Sequence, residues 1–277
     1  MQMIDAKKQV RSHSPLALDS NLVYIPSHGG ITRIPDKKHS GHIKEIGMYK
    51  MIVKALWTIT ACVMAFGLTV NVALADEGKA MSFFVTSVGV GKGGDLGGIE
   101  GADKHCQSLA AAAGAGDRTW HAYLSTQASG FSDTSAQQAR NRIGKGPWYN
   151  AKGVLIAKDV DELHSQKNHL NKETTLDEKG NLVNGRSEKP NKHDMLTGSR
   201  PDGTNFAPSP PFTDMTCGNW TKGGKEGSAM LGHHDRAGPN NDSWATSWNT
   251  AHPSLGCDQD SLRKTGGDGL FYCFAVK

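Results

Sequence analysis

The sequence predicts an α+β fold in one exported domain framed by disulfides, and three observations carry that prediction. Four cysteines lie downstream of an export signal, Cys106, Cys217, Cys257 and Cys273, an even number in a chain bound for an oxidising compartment. An amphipathic helical stretch, Gly98 to Ala113, stands near the start of the domain, and an alternating strand, Gly269 to Val276, closes it. The segments between are short β-branched and aromatic runs parted by glycine-rich turns, with no internal repeat. Four cysteines allow three pairings, and the pattern alone leaves them open.

The leader comes first. Lys50 and Lys54 precede a mostly apolar run from Ala55 to Val72, and Ala73-Leu74-Ala75 supplies the small-x-small pattern before Asp76, so 48–75 reads as a secretory signal peptide. The run is nearly long enough to span a bilayer, and Ile59-Thr60-Ala61-Cys62 also fits a lipoprotein signal. The better cleavage site downstream favours removal, with no stable membrane insertion afterwards and a secreted or periplasmic destination. Residues 1–47 lack apolar periodicity and stand ahead of a signal that works best at an N-terminus; they read as an extension from an upstream start, with Met48 or Met51 the expected first residue. Segment 1–75 holds 9 Lys and Arg against 4 Asp and Glu, whereas 76–277 holds 22 against 23. The basic balance therefore belongs to the leader, and the net charge of the domain 76–277 argues against a nucleic-acid partner.

Ser82 to Thr86 (SFFVT) is the expected opening strand. Gly89, Gly91 and Gly94 then match GxGxxG, yet no βαβ continuation follows, so the stretch reads as a loop. In the helix Gly98 to Ala113, Ile99, Ala102, Cys106, Leu109 and Ala113 recur at three- and four-residue spacing, which turns Cys106 inward. Trp120 to Ser125 alternates as a half-buried strand. Ser135 to Ile143 reads as a second helix with Asp133 and Thr134 as capping candidates. Short strands are expected at Trp148-Tyr149 and Val154 to Ala157. Between His164 and His193 the chain is mostly Asn, Lys, Glu and Gly, a polar excursion read as too hydrophilic for core. The last strand sets Leu270, Tyr272, Phe274 and Val276 against Phe271, Cys273 and Ala275.

Gly101-Ala102-Asp103 with Cys106, Ala122-Tyr123-Leu124-Ser125, Gly198-Ser199-Arg200-Pro201-Asp202-Gly203, Cys217 with Trp220, and the spacing of Cys257 and Cys273 together resemble the C-type-lectin-like domain. Within that group the chain looks most like endostatin and bacterial endostatin-like proteins. The resemblance spans nearly all of 82–277 apart from the polar insertion. It implies nested disulfides, Cys106 to Cys273 and Cys217 to Cys257. A first helix packed beside the terminal strand agrees with the first of these.

In sugar-binding members of that group, a Pro-flanked acid or amide and a later Trp-Asn-Asp supply oxygens to Ca²⁺. Arg200-Pro201-Asp202 and Trp248-Asn249-Thr250 stand in the corresponding order here, so Asp202 and Asn249 are the candidate metal ligands and calcium the candidate cofactor, with Thr250 in place of the second acid. Gly232-His233-His234-Asp235-Arg236 is the densest polar cluster, and its imidazoles and carboxylate are ligand types for Zn²⁺ or Cu²⁺, with His252 as a possible addition from the next loop. Adjacent histidines on a strand point to opposite faces, so at most one of His233 and His234 aligns with a given site. The zinc ligands of endostatin lie near its N-terminus and match no residues here.

No GxSxG or HExxH is present, and an enzyme is not expected. The expectation is a non-enzymatic recognition domain for an extracellular glycan or glycoprotein, with Asp202, His234, Asp235, Trp248 and Asn249 as candidate ligand-binding residues. The alternative is a protein-binding adhesin or matrix-binding module on the same fold.

Overall fold

A computed structural model of the chain describes residues 79–211 and 214–276, so the expected extension 1–47, the signal 48–75 and Cys62 lie outside the described residues. The chain divides between Asn71 and Val72, and all described residues belong to the second unit. In chain order the elements are β1 (Phe83–Val85), α1 (Gly98–Ala112), β2 (Trp120–Ala122), α2 (Ala139–Arg142), β3 (Trp148–Tyr149), β4 (Leu155–Ala157), α3 (Val160–Leu163), β5 (Asp194–Leu196), α4 (Cys217–Trp220), β6 (Met230–His233), β7 (His252–Pro253), α5 (Gln259–Thr265) and β8 (Gly267–Ala275). The fold is α+β with a mixed sheet.

β8 is the axis of the sheet because its two faces are both apolar. β1 and β2 pair antiparallel with the same stretch of β8, Phe83 opposite Phe274 and Ala122 opposite Cys273. β5 runs parallel to the earlier part of β8, Leu196 opposite Phe271; β6 and then β7 extend that side antiparallel. The alternation in β8 sorts two cores. Leu270, Tyr272 and Phe274 join Tyr123, Trp148 and Trp248 on one side, while Phe271, Cys273 and Ala275 join Cys106, Trp120 and Trp220 on the other. α1 lays Ile99, Ala102, Cys106 and Ala110 on the second core, and Cys106 bonds Cys273 across it. The other disulfide is Cys217–Cys257, so the nested pairing holds. Two such bridges point to an oxidising, extracytoplasmic compartment. Among the described residues no helix is long and apolar enough to cross a membrane.

Several elements differ from expectation. The helix expected over Ser135 to Ile143 shrinks to the four residues of α2. The Asp133 carboxylate accepts from Ser129 and Ser135 in a turn of its own, and Gln137 pairs with Thr126 in both directions, which holds the chain extended up to α2. The polar excursion does contribute core: Leu170, Leu176 and Val183 are buried. Its polar side chains make the turns that allow this, as when Asn171 Oδ1 accepts from Glu173 and Thr174 amides and Asp177 Oδ1 from Lys179 and Asn181 amides. β5, β6, β7 and α5 have no counterpart in the sequence reading. α5 is capped by Asp258, whose carboxylate accepts from the Asp260 and Ser261 amides.

α4 is a single left-handed turn: Cys217, Gly218, Asn219 and Trp220 all have positive φ, at 48°, 62°, 55° and 67°. For three L side chains this costs about 1–2 kcal/mol each. The turn is held by its disulfide, by Trp220 Nε1 donating to Ser125 O at 2.8 Å, and by Asn219 exchanging hydrogen bonds with the Gln127 backbone.

Candidate functional site

Two groups of side chains beside β6 and β7 stand out. The first surrounds a cavity of about 650 Å³ lined by His164, Arg200, Phe206, Arg236, Trp244 and Trp248 among others. Trp248 is fixed from below, its ring 4.8 Å from that of Tyr123 and 5.3 Å from that of Tyr272, and its carbonyl accepts from the Tyr272 hydroxyl at 2.8 Å. Gly232 in β6 lets this loop approach, since a Cβ there would lie 1.9 Å from Trp248 O. Trp244 stands at the edge, 46% exposed, with Nε1 donating to Asp242. Arg236, in the left-handed region at φ 54°, sends its guanidinium to Asn168 Oδ1 and Gln166 Oε1 at 3.1 and 3.0 Å.

A buried hydrogen-bond chain lies behind Trp248. His164 Nδ1–H donates to Val160 O at 2.7 Å, so its Nε2 accepts from the Tyr123 hydroxyl at 2.8 Å. Asn249 Nδ2 donates to that hydroxyl and to the Arg200 and Pro201 carbonyls. Burial holds the Tyr123 hydroxyl above its ordinary pKa and the His164 imidazole below its own.

The second group sits where β5, β6 and β7 lie side by side. Asp194 opens β5 and is paired in register with His233, the last residue of β6, while His252 opens β7 opposite Leu231. Around Asp194 Oδ1 lie His193 Nε2 at 3.1 Å, His233 Nε2 at 3.4 Å and His252 Nε2 at 3.6 Å. Both Asp194 carboxylate oxygens are buried, and among the described residues neither has a hydrogen-bond donor. Burial pushes this carboxyl up to about 6 and the His233 imidazole down to about 4. Gly266 makes room, since a Cβ there would come within 3.1 Å of Asp194 Oδ2 and 3.2 Å of His193.

No protein-family model matches this chain, and no curated protein does.

The five residues expected to bind ligand are divided among three places. Trp248 and Asn249 line the cavity. Asp202 lies on the adjoining exposed turn, where its carboxylate accepts from Thr204 N and Oγ1 at 3.1 and 2.6 Å. His234, just past the end of β6, is wholly buried, its Nε2 at 3.1 Å from Asn184 O, and burial lowers its pKa to about 4. Burial works against the Asp235 carboxylate too, but hydrogen bonds from His193 and from the Arg186 and Ala237 amides outweigh it and hold the group well below the usual carboxylate range.

The loops of Asp202 and Asn249, the expected calcium pair, meet: Asp202 Oδ1 accepts from Thr204, and Asn249 gives its amide hydrogens to three oxygens while its Oδ1 accepts from Ser247. Among the described residues, the acidic, His or Cys side chains whose ligand atoms gather within 4.8 Å of one another are His193, Asp194 and His233. Calcium takes six to eight oxygens, whereas this set is chiefly nitrogen. His193 and Asp194 escaped the sequence reading because they follow a polar run and begin a strand of only three residues. Their sole sequence signal was the His-Asp dipeptide itself.

Proposed function

We propose that the chain is an exported, non-enzymatic recognition domain of the C-type-lectin-like, endostatin-like type, acting in the periplasm or outside the cell, and that its ligand is a carbohydrate held in the Trp244–Trp248 cavity. The observation that carries the reading is Trp244, a large aromatic ring half open to solvent at the mouth of a cavity whose walls alternate aromatic faces with Arg200, Arg236, Ser247 and Thr250. Sugar rings present apolar C–H faces ringed by hydroxyls, and such a wall meets both: the open Trp244 indole for a face, the Arg200 guanidinium as donor and the Ser247 and Thr250 oxygens as acceptors for the rim. Recognition of this kind runs through aromatic and polar side chains and needs no calcium bridge.

The test is a glycan-array screen of the purified, disulfide-intact protein, with calcium and again with chelator. Saturable binding that survives chelator, is competed by free sugar and falls tenfold or more in Trp244→Ala supports the reading. Binding to a glycoprotein that persists after deglycosylation replaces it with the protein-partner reading.

A further inference from the structure

We propose that His193, Asp194, His233 and His252 form a zinc site. The argument starts from the tautomers. His233 Nδ1 faces Ala245 O at 2.7 Å and His252 Nδ1 faces Pro253 O at 3.2 Å. A carbonyl only accepts, so both Nδ1 atoms carry hydrogen, and a neutral ring then has a bare lone pair at Nε2. His193 Nδ1 faces Asp235 Oδ1 at 3.3 Å and is set the same way. All three outer contacts, two carbonyls and a carboxylate, are the partners that orient zinc-bound imidazoles elsewhere in chemistry.

The bare Nε2 atoms therefore converge. His233 Nε2 and His252 Nε2 are 3.0 Å apart, and all three histidines direct Nε2 to within 3.6 Å of Asp194 Oδ1. Two lone pairs at 3.0 Å repel, and Asp194 is a buried carboxylate with no hydrogen bond to either oxygen among the described residues, an arrangement that is costly unless a cation is present. A proton at His193 Nε2 would reach Asp194 Oδ1 at 3.1 Å but leave the facing His233 and His252 lone pairs unrelieved, and a proton between those two rings would leave Asp194 unpaired. One divalent cation satisfies all four groups together.

The spacing selects the metal. With zinc–ligand bonds of about 2.0–2.1 Å, tetrahedral geometry places ligand atoms about 3.3–3.4 Å apart. Four of the six ligand-to-ligand separations are fixed by the contacts, at 3.0, 3.1, 3.4 and 3.6 Å, and these bracket that edge. His193, Asp194 and His233 form the buried part of the set. His252 falls outside the set whose ligand atoms all lie within 4.8 Å of one another, and its side chain, 31% exposed, would swing in from the solvent side to complete the four. Nitrogen-rich donors of this number suit zinc and disfavour calcium or magnesium. The metal would clip β7 to β5 through β6. Since Ala251 and Pro253, on either side of His252, line the sugar cavity, the clip would hold one wall of it. The site stands whether or not that cavity binds sugar.

The test uses the purified protein stripped with chelator and titrated with Zn²⁺, then with Co²⁺ as a spectroscopic stand-in. The expected result is one zinc per chain, a higher Tm with zinc than in chelator, and the intense visible absorption of four-coordinate cobalt. Asp194→Asn keeps the shape of the side chain and removes its charge; it should abolish the zinc-dependent rise in Tm while leaving the Tm in chelator equal or higher. His252→Ala, at the exposed ligand, should weaken zinc at least tenfold, and His169→Ala, elsewhere on the surface, should leave it unchanged. No zinc bound by stripped protein with native near-ultraviolet circular dichroism would overturn the proposal. So would one zinc retained with undiminished affinity in both the Asp194→Asn and His252→Ala proteins, or the faint absorption of six-coordinate cobalt.

Discussion

His164 shows how one side chain carries a pH dependence. Its Nδ1–H is committed to Val160 O and its Nε2 accepts from Tyr123, so a second proton would turn an acceptor into a donor facing a hydroxyl already engaged by Asn249. Burial is the largest cause of its lowered pKa; Arg140 adds to the lowering, and Asp202 and Asp161 oppose it. A histidine whose pKa is lower folded than unfolded binds fewer protons when folded, so its contribution to stability is complete above about pH 6.5 and is lost as pH falls toward the folded value. His164→Gln should cost about 1–2 kcal/mol at pH 7.5, the range for losing a buried hydrogen bond, and less at pH 5. Urea denaturation of both proteins at the two pH values measures the gap. A gap of constant size would assign the pH dependence to another group.

At the scale of elements, length and neighbours decided what could be read. β8 has nine residues with both faces apolar, and α1 has four turns of regular spacing, so both are legible. β5 has three residues and β7 two, too few for any period to show, and both are strands because longer neighbours supply their hydrogen bonds. β6 was hidden differently: Gly232 and His233 read as part of a polar cluster, yet all four of its residues are buried. Its glycine is there for Trp248, whose backbone fills the space of a Cβ. Gly232→Ala should therefore destabilise by about 3 kcal/mol or more, at the upper end for overpacking, because the obstruction is backbone and cannot rotate away. Gly224→Ala, where a Cβ would meet nothing within 4 Å, should change stability by less than about 1 kcal/mol. Thermal denaturation of the two variants checks the contrast, and equal losses would show that β6 and the Trp248 loop part easily. The candidate site was legible only in fragments for the same reason. Trp248, His233 and Arg236 stand in recognisable runs, whereas His193 and Asp194 acquire their partners only once β5 is laid beside β6.

Over the whole molecule the two disulfides frame different things. Cys106–Cys273 closes a loop of sequence separation 167 and ties α1 to the central strand, while Cys217–Cys257 closes one of 40. The smaller loop contains β6, Trp244, Trp248, His233 and His252, and with them about half of the cavity wall and two of the four groups gathered at Asp194. In the chain-entropy account the larger bridge contributes about 5 kcal/mol and the smaller about 4 kcal/mol. All four cysteines are wholly buried in the core that holds Trp120 and Trp220, so alanine replaces them with less disturbance than serine. Replacing Cys106 and Cys273 together should lower stability throughout, because β8 pairs with three other strands and its loosening reaches both cores. Replacing Cys217 and Cys257 should act locally: the left-handed turn at α4 loses the covalent bond that helps offset its strain, and the segment it anchors opens first. Hydrogen exchange read by mass spectrometry separates the two. The second variant should exchange faster from 217 to 257 with α1 and β8 protected, and the first should exchange faster everywhere. A uniform rise in both variants would mean that the cavity wall is held by β6 pairing alone and that the Cys217–Cys257 bridge does not shape it.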